Sequence, residues 1–337
     1  MDYFKKLKPT PVFEAFWHFA TERQDIFFRR LQGLPAPWTT DPILSRYKFT
    51  NAYRVLDRVS QYLVENISNR TDLKPENIFF GTLLFKIFNK IETWELLKTD
   101  IGDFQYSQDV FERIDASISK ALANGKKVYS AAYIMPTRTA TLRAARKHRN
   151  HLQILKQMIT DELHKRIAGA KNMQQGFELI RSYPMIGDFL AYQFITDINY
   201  SNISDFTEME FVIAGPGAKD GIKKCFSNSD SMTESDIIRL VCEHQEEEFS
   251  RRGLTFQKLR GRQLQLIDCQ NLFCEISKYS RVSHPDILGI SARTRIKRLF
   301  QPQNSLRTIL LPSKWGIPTN DTSNLRAHCE RSLEKCI

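Results

Sequence analysis

Tyr183-Pro184-Met185-Ile186-Gly187-Asp188-Phe189-Leu190-Ala191-Tyr192-Gln193-Phe194 is the run on which the reading of the fold turns. The segment before it carries Phe177, Leu179 and Ile180 at helical spacing. That helix stops at Ser182-Tyr183-Pro184, because the residue before a proline avoids helical dihedrals. The short Met185-Ile186-Gly187 turn calls for the permissive backbone of Gly187, and Asp188 is placed to cap a second helix. Helix, tight apolar turn, helix is the pattern of a helix-hairpin-helix, which aims backbone N–H groups and a helix N-terminus at a nucleic-acid phosphate. Met185, Ile186 and Gly187 are therefore candidate DNA contacts. An ordinary pair of antiparallel helices inside a helical core has the same pattern.

Downstream comes Asp205-Phe206-Thr207-Glu208-Met209-Glu210-Phe211-Val212-Ile213-Ala214-Gly215-Pro216-Gly217-Ala218. A carboxylate here, Glu208 or Glu210, could serve as a general base for water or stabilise positive charge developing on a sugar. Two acids capping a helix N-terminus would look the same. The Gly-Pro-Gly-Ala turn suits either close approach to a ligand or a tight connector.

Helical periodicity dominates the rest of the 337 residues, which hold only 14 glycines and 13 prolines, so an all-α fold is expected. Residues 13–31 form an aromatic-rich helix punctuated by Arg23, Arg29 and Arg30. Residues 49–66 read as a helix with a polar stripe of Arg54, Asp57, Arg58 and Gln61. Residues 79–96 are apolar nearly all round and read as one buried helix. Residues 109–123 are amphipathic, and residues 152–167, 234–252 and 259–279 read as further helices, the 234–252 helix capped by Thr233. On the last of these, Asp268, Asn271 and Glu275 lie at i, i+3 and i+7 and share a face, with Gln270 beside them. Such a face suits hydrogen bonding to a base edge or sugar, and equally a buried structural network. The Arg54/Asp57 stripe suits a base pocket or an ion-paired surface.

A net charge of +11 and a pI near 9.3 favour a polyanionic partner. The segment 137–149, with Arg138, Arg143, Arg146, Lys147, His148 and Arg149, reads as a phosphate-contacting or solvated basic face, and 293–298 is a second basic run. No apolar run is long enough to span a bilayer, and Met1-Asp2-Tyr3-Phe4-Lys5-Lys6 lacks the apolar core of a signal peptide, so a cytoplasmic protein is expected. Cys225, Cys242, Cys269, Cys274, Cys329 and Cys336 form no CxxC pair and read as reduced, mostly buried thiols. The seven histidines show no metal-ligand spacing beyond His148/His151, which reads as added polar surface, so neither metal nor cofactor is expected. There is no P-loop, dinucleotide fingerprint, Ser-His-Asp elbow or HExxH motif. One interwoven helical body over 1–311, in two lobes, is expected, with a turn-rich tail at 312–337.

Several separate blocks carry a resemblance. They are Phe16-Trp17-His18-Phe19 with Glu22-Arg23-Gln24, Pro37-Trp38-Thr39, Asp41-Pro42-Ile43-Leu44, Phe49 to Arg54, Phe88-Asn89-Lys90, residues 211–218, and Asp268-Cys269-Gln270-Asn271 with Cys274-Glu275. Together they resemble the α-glutamyl/putrescinyl thymine pyrophosphorylase family, which also occurs as the helical domain of hydroxymethyluracil DNA kinases. That family is regarded as related to the helix-hairpin-helix DNA glycosylases. The resemblance implies a two-lobed all-α fold acting on double-stranded DNA that contains modified pyrimidines, in phage DNA hypermodification or in defence against such phages. No membrane, cofactor or obligate protein partner is expected.

The glycosylase superfamily places an acidic residue downstream of its hairpin, an interval that Glu208 and Glu210 occupy here; most relatives use aspartate. The region after Gly187 has no lysine, which argues against a Schiff-base lyase. The leading expectation is thus a monofunctional DNA glycosylase. It would flip out a hypermodified pyrimidine and leave an abasic site, with Glu210 or Glu208 as the carboxylate and Asp268 as the outside candidate. N-terminal aromatics and Gln270, Asn271, Glu275, Arg54 and Asp57 would build the base pocket, and Arg143, Arg146 and Lys147 would contact phosphates. The alternatives are a pyrophosphorylase-type enzyme on the same fold and a non-catalytic reader of modified bases.

Overall fold

The computed structural model describes residues 4–103, 105–107, 109–131, 135–137, 144, 146–301 and 309–317. Among these residues the chain is all-α, with only isolated antiparallel bridges outside the helices. It divides into two compact units, one built from Met1–Asp57 and Phe211–Ile309, the other from Arg58–Glu210 and Leu310–Gly316.

The first unit opens with α1 (Pro11–Leu31), where Thr10 caps the N-terminus and Pro11 takes the first turn, and continues with α2 (Pro42–Arg46), capped by Asp41. The chain then enters the second unit through α3 (Arg58–Leu63), which runs into a π-helical turn at Val64–Ser68. There follow α4 (Pro75–Phe88), α5 (Ile91–Ile101), α6 (Val110–Ala123), α7 (Lys147–Thr160), α8 (Leu163–Ala168), α9 (Met173–Arg181) and α10 (Asp188–Ile198). Back in the first unit come α11 (Pro216–Cys225), α12 (Glu234–Glu243), α13 (Gln245–Arg251) and α14 (Leu266–Ser283).

α14 is the axis of the first unit, with α1, α2, α11 and α12 packed around it. Its closest neighbour is α11. A Cβ on Gly221 would fall on the backbone carbonyl of Phe273, with its carbon only 2.8 Å away, and one on Gly217 would come within 3.3 Å of the Cys274 Cβ. The Gly-Pro-Gly-Ala run is therefore neither a ligand loop nor a connector. Pro216 starts a helix, and Gly217 and Gly221, one turn apart, let two backbones approach. Phe13, Phe16 and Trp17 of α1 close this core against Phe226, Phe273 and Phe249.

In the second unit α4 is buried nearly all round, as its composition implies. The run 79–96 is not one helix, however. Asn89 adopts φ +47, and this left-handed residue ends α4 and separates it from α5. The hairpin helices α9 and α10 form where Pro184 and the apolar periodicity put them. The turn itself differs from expectation. The left-handed residue is Met185 (φ +68), while Gly187 has ordinary extended dihedrals and open space around its α-carbon. Asp188 is the first helical residue rather than the cap, and its carboxylate pairs with Arg181. Gly187→Val is therefore expected to cost about 1 kcal/mol or less in a denaturant melt. Met185→Ile, which puts a β-branched side chain at positive φ, should cost more, about 2 kcal/mol. The reverse order would place the conformational demand back on Gly187.

Residues 49–57 form no continuous helix: a bend leads to a short 3-10 turn at Arg54–Leu56. Likewise His244 breaks the expected 234–252 helix, though Thr233 does cap its start, and α14 begins only at Leu266. No helix among the described residues is long and apolar enough to cross a membrane.

Candidate functional site

The first unit holds a cavity of about 170 Å³ walled by Trp38, Leu44, Tyr47, Phe49 and Phe300, with Arg23 of α1 in its lining. Three of these walls, Trp38, Phe300 and Phe49, are fixed from outside. The Trp38 indole N–H donates to the Leu34 carbonyl at 2.7 Å, and the Trp38 carbonyl accepts from Arg29 at 2.6 Å. Arg30 lies over the Trp38 ring at 5.0 Å and over Phe300 at 5.8 Å, a cation–π bracket around both. Phe300 is held by a two-segment pairing in which its N–H donates to the Arg46 carbonyl at 2.9 Å and Lys48 N–H donates to the Arg298 carbonyl at 3.0 Å. Phe49 packs edge-on against Phe19 and beside Tyr279.

The residues 49–51 connect this cavity to a polar network. Arg23 Nε donates to the Thr50 carbonyl at 2.9 Å and Nη2 to Asn51 Oδ1 at 2.6 Å. Glu275 Oε2 accepts from Thr50 N–H at 3.1 Å and pairs with Lys278. Asp57 Oδ1 accepts from Asn51 N–H at 2.9 Å, and Asn51 Nδ2 donates to the Leu56 carbonyl. Burial lowers the Arg23 pKa to about 10. Burial, with Glu275 nearby, raises the Asp57 carboxyl from its usual 3.8 to about 6, against the Asn51 N–H and the Arg54 and Arg23 charges.

A carboxyl whose pKa rises on folding binds more protons folded than unfolded between about pH 4 and 6, so stability falls as pH climbs through that window. Asp57→Asn keeps an oxygen for the Asn51 N–H but removes the charge. Its melting temperature relative to wild type is expected to be higher at about pH 7.5 than at about pH 4.5. A gap independent of pH would remove Asp57 as the titrating group.

Two clusters that the sequence places far apart thus meet: Arg54 and Asp57 from one stretch, Asp268 and Glu275 from another. Arg54 is buried, not part of an exposed ion-paired face, and its N–H donates to Asp268 Oδ1 at 2.7 Å. The second Asp268 oxygen accepts from Gln265 N–H at 3.0 Å, closing a capping box on α14. Gln270 is buried, with no partner for its Oε1 among the described residues, and Asn271 is half-buried. None of Arg54, Asp57, Gln270, Asn271 and Glu275 is in the cavity lining; Glu275 and Asp57 stand behind it, holding residues 50 and 51. Sequence reasoning missed Arg23 as a site residue. Its signals were an arginine inside an aromatic-rich helix and its place in the Glu22-Arg23-Gln24 block.

The remaining candidates belong to the second unit. Glu208 is buried and Glu210 exposed, on a turn that follows a tightly bonded loop. In that loop Asn199 Oδ1 accepts from Ser204, from Phe206 N–H and from Lys314, and Lys314 also donates to the Ser204 carbonyl at 2.7 Å. Of the basic segment, Arg143 lies outside the described residues. Arg146 is exposed and precedes α7, and Lys147 sits over the Tyr129 ring at 4.7 Å. His148 and His151 are buried rather than surface groups. His148 Nε2 meets Asp115 at 2.7 Å, and Asp115 also takes both ends of the Arg149 guanidinium. His151 Nε2 donates to the Pro136 carbonyl at 2.8 Å while Nδ1 accepts from Tyr129 OH at 2.7 Å. Burial lowers both imidazole pKa values, that of His151 to about 4. Among the described residues no group of three or more His, Cys, Asp or Glu is placed to hold a metal ion.

Comparison with known proteins gives the class. Residues 10–289 match the helical domain of 5-hmdU DNA kinase, and the chain belongs to that family. A relative named 5-hmdU DNA kinase, from Bacillus phage SP10, is 28% identical over 279 residues. The alignment covers 77% of this chain and 43% of that protein, so the chain spans less than half of its relative's length. No solved structure matches. The expectation of a monofunctional DNA N-glycosylase is corrected by these matches. The relative is a kinase, a transferase and not a hydrolase of N-glycosyl bonds, and neither match is to a glycosylase. Glu208, Glu210 and Asp268 lose the reaction for which they were chosen.

Proposed function

We propose that this chain selects 5-hydroxymethyluracil in DNA, and that the aromatic cavity of the first unit receives the modified base. The observation that carries this reading is the cavity. At about 170 Å³ it is well below the roughly 300–1,000 Å³ of a site for a drug-sized ligand, which suits one small planar ring. Its walls offer stacking faces, the means by which an extruded base is held once it leaves the helix. Membership of the helical-domain family and the name of the phage relative support hydroxymethyluracil as that base. The exposed basic run of Arg293, Arg295, Lys297 and Arg298, which leads into Phe300, supports a polyanionic partner.

Fluorescence anisotropy on matched duplexes with thymine or hydroxymethyluracil at one position tests it. The modified duplex is expected to bind tighter. Trp38→Ala should cost about 1–3 kcal/mol, roughly 5- to 150-fold in Kd, the value of one stacking face. Equal affinity for the two duplexes would overturn the reading. A second reading, in which the chain also takes part in group transfer to the hydroxymethyl oxygen, is favoured by the relative's name. Incubation with γ-labelled ATP separates the two: label in the DNA supports transfer, binding without label supports selection alone. A pyrophosphorylase-type reaction on the same base would instead release pyrophosphate from pyrophosphorylated DNA.

A further inference from the structure

One side of the cavity is made by two short segments, far apart in sequence, that run antiparallel. Phe300 N–H donates to the Arg46 carbonyl and Lys48 N–H to the Arg298 carbonyl, so Tyr47 and Leu299 face each other as the non-hydrogen-bonded pair. Side chains of such a pair lie closest together. Tyr47 lines the cavity, and so does Phe300, whose Cα follows that of Leu299 by about 3.8 Å. Leu299 itself is outside the lining and 58% exposed. A lone exposed leucine needs no explanation. This one is a large apolar side chain beside two cavity walls, on backbone that is hydrogen-bonded on either side of it. The two segments are also cationic. Arg46, Lys48, Lys297 and Arg298 are exposed, Arg46 lies over the Tyr47 ring at 5.4 Å, and neither 42–49 nor 291–301 contains an acid.

We propose that Leu299 is a wedge that enters the base stack as the modified base leaves it, while the cations of the two segments hold the flanking phosphates. Extruding a base exposes the faces of its neighbours to water and costs unstacking energy. Apolar side chains inserted between base steps cover such faces, and leucine is among those used. A wedge has to reach the duplex while the extruded base occupies its pocket, so it stands beside that pocket and not inside it. Leu299 has that position. Because its backbone is already held, little ordering is lost on insertion. The cations fit the same occupant, since phosphates flank the vacated step on the strand that the wedge enters. Leu288 and Ile290 are more exposed still, but they lie on a turn held by Asp220 and not on a segment that lines the cavity. This inference rests on the cavity being the base site.

The test compares two DNAs that carry 5-hydroxymethyluracil. In one the base is paired within a duplex; in the other it is a single-nucleotide bulge, where extrusion leaves no gap in the stack. Leu299→Ala is expected to weaken binding of the paired duplex about 10-fold or more, the scale of a buried leucine side chain, and that of the bulge about 2-fold or less. Leu299→Met keeps the apolar bulk and should bind the paired duplex within about 3-fold of wild type. Lys297→Ala with Arg298→Ala should weaken both DNAs and reduce the salt slope by about 1–2, whereas Leu299→Ala leaves the slope unchanged. Equal losses on the two DNAs, no loss on either, or the same paired-duplex loss in Leu288→Ala overturns the wedge while leaving selection of the base intact. A salt slope that ignores Lys297 and Arg298 takes the two segments off the DNA and overturns it as well. Absence of any wild-type preference for hydroxymethyluracil over thymine removes the proposed function, and this inference with it.

Discussion

Asp197→Ala is expected to destabilise the second unit by about 3–5 kcal/mol, the usual cost of stripping one partner from a buried ion pair. Asp197 on α10 and Lys86 on α4 have side chains 0% and 3% exposed, with 3.1 Å between carboxylate and ammonium. Lys86 also donates to Asn89 Oδ1 at 2.9 Å, and Asn89 is the left-handed residue that ends α4. Removing the carboxylate takes the Asp197 charge away from an ammonium that is 3% exposed in the helix interface, so less of its desolvation is offset. The pair is not itself a large source of stability, because both charges were taken from water to form it. Replacing both partners, Lys86→Met with Asp197→Leu, should therefore recover most of the loss. Urea unfolding followed by circular dichroism measures both variants, and a single-variant loss below about 1 kcal/mol would show that water reaches the site.

Gly221→Ala is expected to cost about 3 kcal/mol or more and to lower the melting temperature by about 10 °C. The added methyl has nowhere to go. It meets the Phe273 carbonyl, which is backbone within α14 and cannot rotate away as a side-chain tip would. α11 must then move off α14, opening the core that Phe16 and Phe226 fill. Alanine's better helix propensity offsets only about 1 kcal/mol of this. Gly187→Ala, with open space at its Cβ, is the control; both variants melting with wild type would mean the α11–α14 contact is looser than described.

Much of the fold was legible in the chain. Pro184 and the apolar spacing locate both hairpin helices, the all-round apolar run gives the buried α4, and Thr233 marks the start of α12. What the sequence hid was set by tertiary partners. Residues 49–57 have helical spacing, but Thr50 and Asn51 give their backbone groups to Glu275, Arg23 and Asp57, and those bonds outweigh a local period. The Met185 turn shows the same limit: a glycine beside the bend was assigned the unusual dihedral, and a methionine carries it. Of the polar residues expected in a base pocket, Asp57 and Glu275 meet around residues 50 and 51, and Arg54 meets Asp268, since carboxylates on an apolar helix have to find donors. Periodicity cannot say whether they line a cavity or brace its wall, and here Asp57 and Glu275 brace it. The lone lysine in α4 was a signal of a buried partner that composition alone could not assign to Asp197.

The first unit is closed by contacts between distant parts of the chain: Thr50 and Glu275, which share a hydrogen bond, are 225 residues apart. The run Arg58–Glu210 lies between them and makes most of its contacts within itself. A chain leaving the ribosome therefore exposes Phe13, Phe16 and Trp17 of α1 long before α14 is synthesised, while the intervening helices already have neighbours to pack on. Assembly of the cavity wall is a late event in biosynthesis, and until α14 emerges Phe16 of α1 has no Phe273 to pack on.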